Sequence, residues 1–101
     1  LHAWDDTAVD AVCSALTNQA WRVREMATRV ISTRRLDARE QLLALLTDET
    51  PRVRAGAARA LGTVGTADDI EAMSALVKDE DIEVRRGAQQ GMDAIRKRVA
   101  Q

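Results

Sequence analysis

Three heptapeptides in this chain are near copies of one another: Trp21-Arg-Val-Arg-Glu-Met-Ala27, Pro51-Arg-Val-Arg-Ala-Gly-Ala57 and Ile82-Glu-Val-Arg-Arg-Gly-Ala88. Self-similarity at a fixed spacing restricts a chain to architectures built by stacking equivalent units. Val23, Val53 and Val84 stand 30 and 31 residues apart, and each is preceded five positions earlier by Asn18, Asp48 or Asp79. A second register agrees with the first. Val12 and Leu16 align with Leu42 and Leu46, and these with Met73 and Val77. The period is therefore about 31 residues, the size of a supersecondary unit that buries its apolar face only against its neighbours.

Within a unit the apolar spacing is helical, as in Val53, Ala57, Ala60, Leu61 and Val64, then Ile70, Met73 and Val77, and no stretch alternates with period two. The pattern predicts six helices, near 6–17, 20–34, 37–47, 51–63, 67–78 and 82–98. Thr50 before Pro51, and Asp81 before Ile82, read as N-caps. Gly62-Thr-Val-Gly65 reads as a helix stop, and Asp68 and Asp69 complement the dipole of the next helix. Gly56 and Gly87 occupy one equivalent mid-helix position, where close helix approach offsets the loss of helix propensity. The expected fold is an all-α solenoid of antiparallel helix pairs in one domain: half unit 1–18, units 19–48 and 49–79, and half unit 80–101. The basic end at Arg96, Lys97 and Arg98 suits a solvated helix C-terminus.

Composition narrows the function. The chain has 101 residues, and its aromatic side chains are Trp4 and Trp21 alone, so the core must be built from small residues, alanine above all. A net charge of −1 lacks the basic footprint of a protein that grips nucleic acid by its phosphates. One cysteine makes no intramolecular disulfide, and the longest apolar run, Leu42 to Leu46, falls far short of a membrane span of roughly 18 residues. With no basic and apolar leader at the N-terminus, cytoplasmic localisation is expected.

An Asp-x4-Val-Arg-x2-Ala signature joining one helix pair to the next resembles the HEAT repeat. Residues 48–62 in particular are similar to the short HEAT-like repeat of phycobilin lyases. Unit one departs from the pattern, with Trp21 in the place of Pro51, Asn18 where the family has Asp, and Arg34-Arg35 where a glycine turn is usual. The resemblance implies a structural ladder between units, formed by Asn18, Asp48 and Asp79 with Arg24, Arg54 and Arg85. It also implies that the second helix of each pair lines the concave side. On those helices Asp10, Ser14 and Thr17, Glu40, Ala44 and Thr47, and Glu71, Ala75 and Lys78 lie half a turn from the inward-facing leucines and form the expected partner-binding row.

The row holds no nucleophile beside a base, no clustered metal ligands and no glycine-rich phosphate loop. The expectation is a non-catalytic scaffold without cofactor or metal, binding a protein or peptide laid across the units. The alternatives are a nucleic-acid-binding HEAT-like domain and a regulatory fragment of a larger enzyme such as a lyase. Residues 21–47 carry six positive and three negative charges, against three negative over 1–20, and Arg22, Arg29, Arg34, Arg35 and Arg39 read as a solvated face. His2 has no partner at a ligand spacing. Cys13 reads as a packing residue, Trp21 as an inter-unit contact, and Trp4 as exposed.

Overall fold

The computed structural model describes residues 5–100; His2 and Trp4 lie outside them. Six α-helices follow in order: α1 (Asp6–Ala15), α2 (Trp21–Arg34), α3 (Arg39–Leu45), α4 (Pro51–Val64), α5 (Ile70–Ser74) and α6 (Ile82–Val99). No strand occurs among the described residues. The molecule measures 36 × 35 × 19 Å, and its thin dimension matches two helix layers at about 10 Å each. The three Val-Arg helices α2, α4 and α6 form one layer, α4 packed directly between the other two, and α1, α3 and α5 lean on that layer.

Alanine and glycine make this spacing possible. Val53, Ala57, Ala60, Leu61, Val84, Ala88 and Ile95 have no exposure, nor do Ile31, Leu42 and Met73. A Cβ on Gly62 would lie 2.7 Å from the Gly91 Cα, and one on Gly87 would lie 2.9 Å from the Ala55 carbonyl oxygen, so α4 and α6 touch backbone to backbone. Gly56 faces the Thr28 hydroxyl of α2. The closest approaches thus fall between successive Val-Arg helices.

Several local readings change. α4 runs on to Val64, so Gly62 is interior, and its missing side chain serves the contact with Gly91. Gly65 ends the helix with extended backbone, its N–H donating to Leu61 O at 2.6 Å. The left-handed stop is instead at Arg35, with φ of 54° at the end of α2. Thr50 holds the N-cap position of α4, but its side chain makes no capping bond; its hydroxyl accepts from Arg24 Nη2 at 3.5 Å. Asp81 does cap α6, accepting from the N–H groups of Glu83 and Val84. The 67–78 segment is a composite, with 3₁₀ turns at Ala67–Asp69 and Ala75–Lys78 flanking a short α5. Arg98 is not merely a solvated basic residue, since its guanidinium donates to Gly62 O at 2.5 Å and Gly65 O at 2.6 Å. It thereby satisfies carbonyls at the end of α4.

Candidate binding surfaces and the arginine ladder

The turn before each Val-Arg helix is closed by a short polar side chain. Asn18 Oδ1 accepts from the Ala20 N–H at 2.8 Å, Asp48 Oδ2 from Thr50 N–H at 2.9 Å, and Asp79 Oδ1 from Asp81 N–H at 2.9 Å. Such two-residue side-chain turns are what Asp and Asn favour on physical grounds. Each motif arginine then folds back onto its own turn: Arg24 Nη1 donates to Asn18 O at 2.7 Å, Arg54 Nη1 to Asp48 O at 2.8 Å, and Arg85 Nη1 to Asp79 O at 2.7 Å.

With one edge of the guanidinium held, the other edge faces the following unit. Arg54 makes a two-pronged bond to Asp79, Nε at 3.0 Å and Nη2 at 3.1 Å. Arg24 donates from Nη2 to Asp48 at 3.1 Å and places Nε 3.0 Å from the second oxygen, as an ion pair without hydrogen-bond geometry. Planar guanidinium and carboxylate forks match in shape, so the pair sets register as well as attraction. Burial opposes ionisation of Asp79, but the Asp81 N–H and the Arg54 guanidinium outweigh it and hold the carboxyl below its ordinary value of 3.8. The structure thus joins Arg24 to Asp48 and Arg54 to Asp79. Among the described residues neither Asn18 nor Arg85 hydrogen-bonds to another motif side chain, although the Arg85 charge also helps hold the Asp79 carboxyl down.

A further ion pair lies outside the ladder and outside the repeating pattern. Asp69 is 1% exposed and receives Arg39 Nε at 2.8 and 3.0 Å, with Nη2 2.7 Å away. The same carboxylate accepts the Thr66 N–H at 2.8 Å, and the Thr66 hydroxyl oxygen in turn accepts the Asp69 backbone N–H, a capping box. Burial works against the Asp69 charge, yet Arg39 and Thr66 keep its carboxyl below the ordinary value. Arg39 is therefore a strut between units and not part of a solvated basic face. The signal available in the sequence was Thr66-x-x-Asp69.

All nine residues of the row (Asp10, Ser14, Thr17, Glu40, Ala44, Thr47, Glu71, Ala75 and Lys78) are exposed on the α1, α3 and α5 layer. Two equivalent open clefts flank it one repeat apart. The first, of about 520 Å³, is lined by Thr17, Arg24, Leu45 and Asp48; the second, of about 590 Å³, by Thr47, Arg54, Leu76 and Lys78. Cys13 is half-buried against the core, and burial, then Asp10 and Asp37, push its thiol pKa up, which makes it a poor nucleophile. Trp21 packs partly on the core, with the Arg22 guanidinium 4.7 Å above its ring. Among the described residues no three His, Cys, Asp or Glu side chains gather as a metal site, and no helix is long and apolar enough to cross a membrane.

No curated protein matches the sequence. Among solved structures, the crystal structure of an engineered protein is similar at 24% identity with a TM-score of 0.74, over 90% of this chain and 46% of that one. The likeness is one of fold, and this chain spans about half the length of that protein. The HEAT repeats match residues 9–93, which take in α2, α4, most of α6 and both closed ladder rungs; the chain belongs to the HEAT repeat family.

Proposed function

We propose that the chain is a non-catalytic scaffold that binds a protein or peptide along the row Asp10, Ser14, Thr17, Glu40, Ala44, Thr47, Glu71, Ala75 and Lys78. HEAT repeats generally serve as protein-interaction scaffolds. The observation that carries the face is its repetition: equivalent exposed side chains recur at each unit, beside two clefts one period apart. Such a surface suits an elongated ligand. The row is mildly acidic, with Asp10, Glu40 and Glu71 against Lys78, and this favours a basic segment. The reading also places the scaffold in the cytoplasm, in keeping with a lone thiol that has no disulfide partner.

The test is the double variant Glu40→Lys with Glu71→Lys. The partner is first identified by affinity capture, and its affinity is then measured for both proteins at one salt concentration. Both residues are exposed and outside the ladder, so stability should change by no more than about 0.5 kcal/mol while binding is lost. Unchanged affinity would move the interface off this layer.

A further inference from the structure

The α2–α4 and α4–α6 interfaces are bordered by different charges. At α4–α6 the guanidinium of Arg59 is met by two acceptors of α6, donating from Nη2 to Glu83 Oε1 at 3.1 Å and from Nε to Gln90 Oε1 at 3.3 Å. One repeat earlier the same three positions hold Arg29 on α2, with Arg52 and Arg59 on α4. Both acceptor positions are occupied by cations. Arg29 and Arg52 have instead the carboxylate of Glu25, whose oxygens lie 3.7 and 3.9 Å away, beyond hydrogen-bond reach of either. The two arginine side chains are 69% and 71% exposed, and among the described residues neither guanidinium donates a hydrogen bond.

The helices also stand apart at this interface. Thr28 lies over Gly56, whereas one repeat on Gly87 meets the Ala55 backbone, and between α2 and α4 a cleft of about 240 Å³ remains with Arg29 on one wall and Arg52 on the other. Ser32 adds a hydroxyl to the α2 wall. It is bonded to Thr63 at 3.0 Å with either oxygen able to donate, so it can accept from Thr63 and turn its own proton to the cleft.

We infer that this cleft binds the phosphate of a phosphorylated serine or threonine of a partner protein, gripped by Arg29 from α2 and Arg52 from α4. The site shares no residue with the row on α1, α3 and α5 and does not depend on it. Both walls are complete helices of this chain, so the site depends on neither end of the array. Glu25 specifies the number of oxygens: a two-oxygen carboxylate beside both arginines bonds to neither, whereas the three terminal oxygens of a phosphate monoester can accept from two forks at once. Volume specifies the size. The cleft is smaller than the roughly 300–1,000 Å³ of pockets that enclose whole small molecules, so it takes a head group and leaves the rest of the ligand outside. Glu25 also specifies the carrier, because its charge repels a bare anion and is offset by a basic residue beside the phosphorylated one.

The test follows arginine Nε–H resonances of the full chain by nitrogen-15 NMR at constant ionic strength, during titration with the acetylated, amidated peptide Arg-Ala-phosphoserine-Ala. The Arg29 and Arg52 signals should shift together on one saturating curve, while those of Arg86 and Arg96 stay in place. The same peptide with aspartate for phosphoserine should bind about tenfold more weakly, as should the phosphopeptide to Arg29→Gln or Arg52→Gln. Melting temperatures of these variants should be unchanged, since exposed ion pairs contribute little. Glu25→Gln should tighten binding about threefold by removing the competing charge. The proposal is overturned if Arg29 and Arg52 move no further than Arg86 and Arg96, if the aspartate peptide binds equally well, or if Glu25→Gln fails to tighten binding. Inorganic phosphate binding as tightly as the phosphopeptide would make a free anion the ligand, and duplex DNA displacing the peptide while shifting all the exposed arginines would make the surface a nucleic-acid face; either result overturns it. Glu40→Lys with Glu71→Lys should bind the phosphopeptide as the parent does, which separates failure here from failure of the row.

Discussion

The α2–α4 and α4–α6 interfaces occupy equivalent places in the repeat, yet they are built differently. Between α4 and α6 the contact is backbone on backbone, through Gly62, Gly87 and Gly91 against Ala55 and Ala58. Between α2 and α4 it is made by hydroxyls: Thr28 lies over Gly56, and Ser32 and Thr63 share a hydrogen bond of 3.0 Å. The Thr28 hydroxyl can turn at the cost of its 2.6 Å bond to the Glu25 carbonyl, whereas a carbonyl in a helix cannot. Each interface holds one Arg–Asp rung, at different tolerance to added volume, so register in this fold is carried by the charged turns while closeness is set by whichever small residues each unit has.

The largest effect that separates them is expected for Gly91→Ala. The new methyl meets the Ala58 carbonyl oxygen, and Met73 Cε at 2.5 Å, and forcing α6 outward should cost about 1–3 kcal/mol, read by denaturant titration. Next come Asp48→Ala and Asp79→Ala, one for each rung. Each should cost about 1–3 kcal/mol by leaving partly buried donors without an acceptor, and adjacent Glu49→Ala should fall within about 0.5 kcal/mol. Similar losses at both rungs would support a ladder common to the two interfaces. A loss at Asp48 no larger than at Glu49 would remove the ladder from the account.

A smaller effect concerns acid. The folded-state pKa values of Asp69 and Asp79 lie below the ordinary 3.8, so both bind fewer protons folded than unfolded in that range. Their contribution is fully present above the ordinary value and is lost as pH falls through the lower folded values. Thermal melts should therefore be flat with respect to these groups at neutral pH and decline below about pH 4, with a shallower decline in Asp69→Asn. Equal slopes would mean that Asp69 contributes nothing through its charge.

The ends of α2 and α4 provide a further contrast. Arg35 adopts the left-handed conformation without being glycine, and Gly65 is glycine in extended backbone. Arg35→Gly should raise stability by about 0.5–1 kcal/mol, seen as a higher melting temperature. Gly56→Ala should cost less than Gly91→Ala, because the gain in helix propensity partly offsets the bond from Thr28 to the Glu25 carbonyl that rotating the hydroxyl forfeits. A loss as large as that of Gly91→Ala would erase the distinction between the two interfaces.

What could be read from the residues was whatever recurs in register. Asp48 and Asp79, Arg54 and Val53 repeat at a fixed spacing, and a spacing that repeats reports a local conformation that repeats. The Asp69–Arg39 pair and the Arg98 bonds to Gly62 and Gly65 occur once each, between residues 30 to 36 positions apart, so no periodicity announces them. Gly62 reads as a stop because glycine punctuates helices; its value lies in Gly91, which stands opposite on α6.

The sequence by itself determined the six helices and their order, because a 31-residue period with helical apolar spacing leaves only stacked helix pairs as a way to bury the stripe. Tertiary structure alone decided which small residues become contact points and which carboxylate is buried. These depend on the distance between elements that the chain brings together only on folding, and on the burial that follows. A local pattern carries neither.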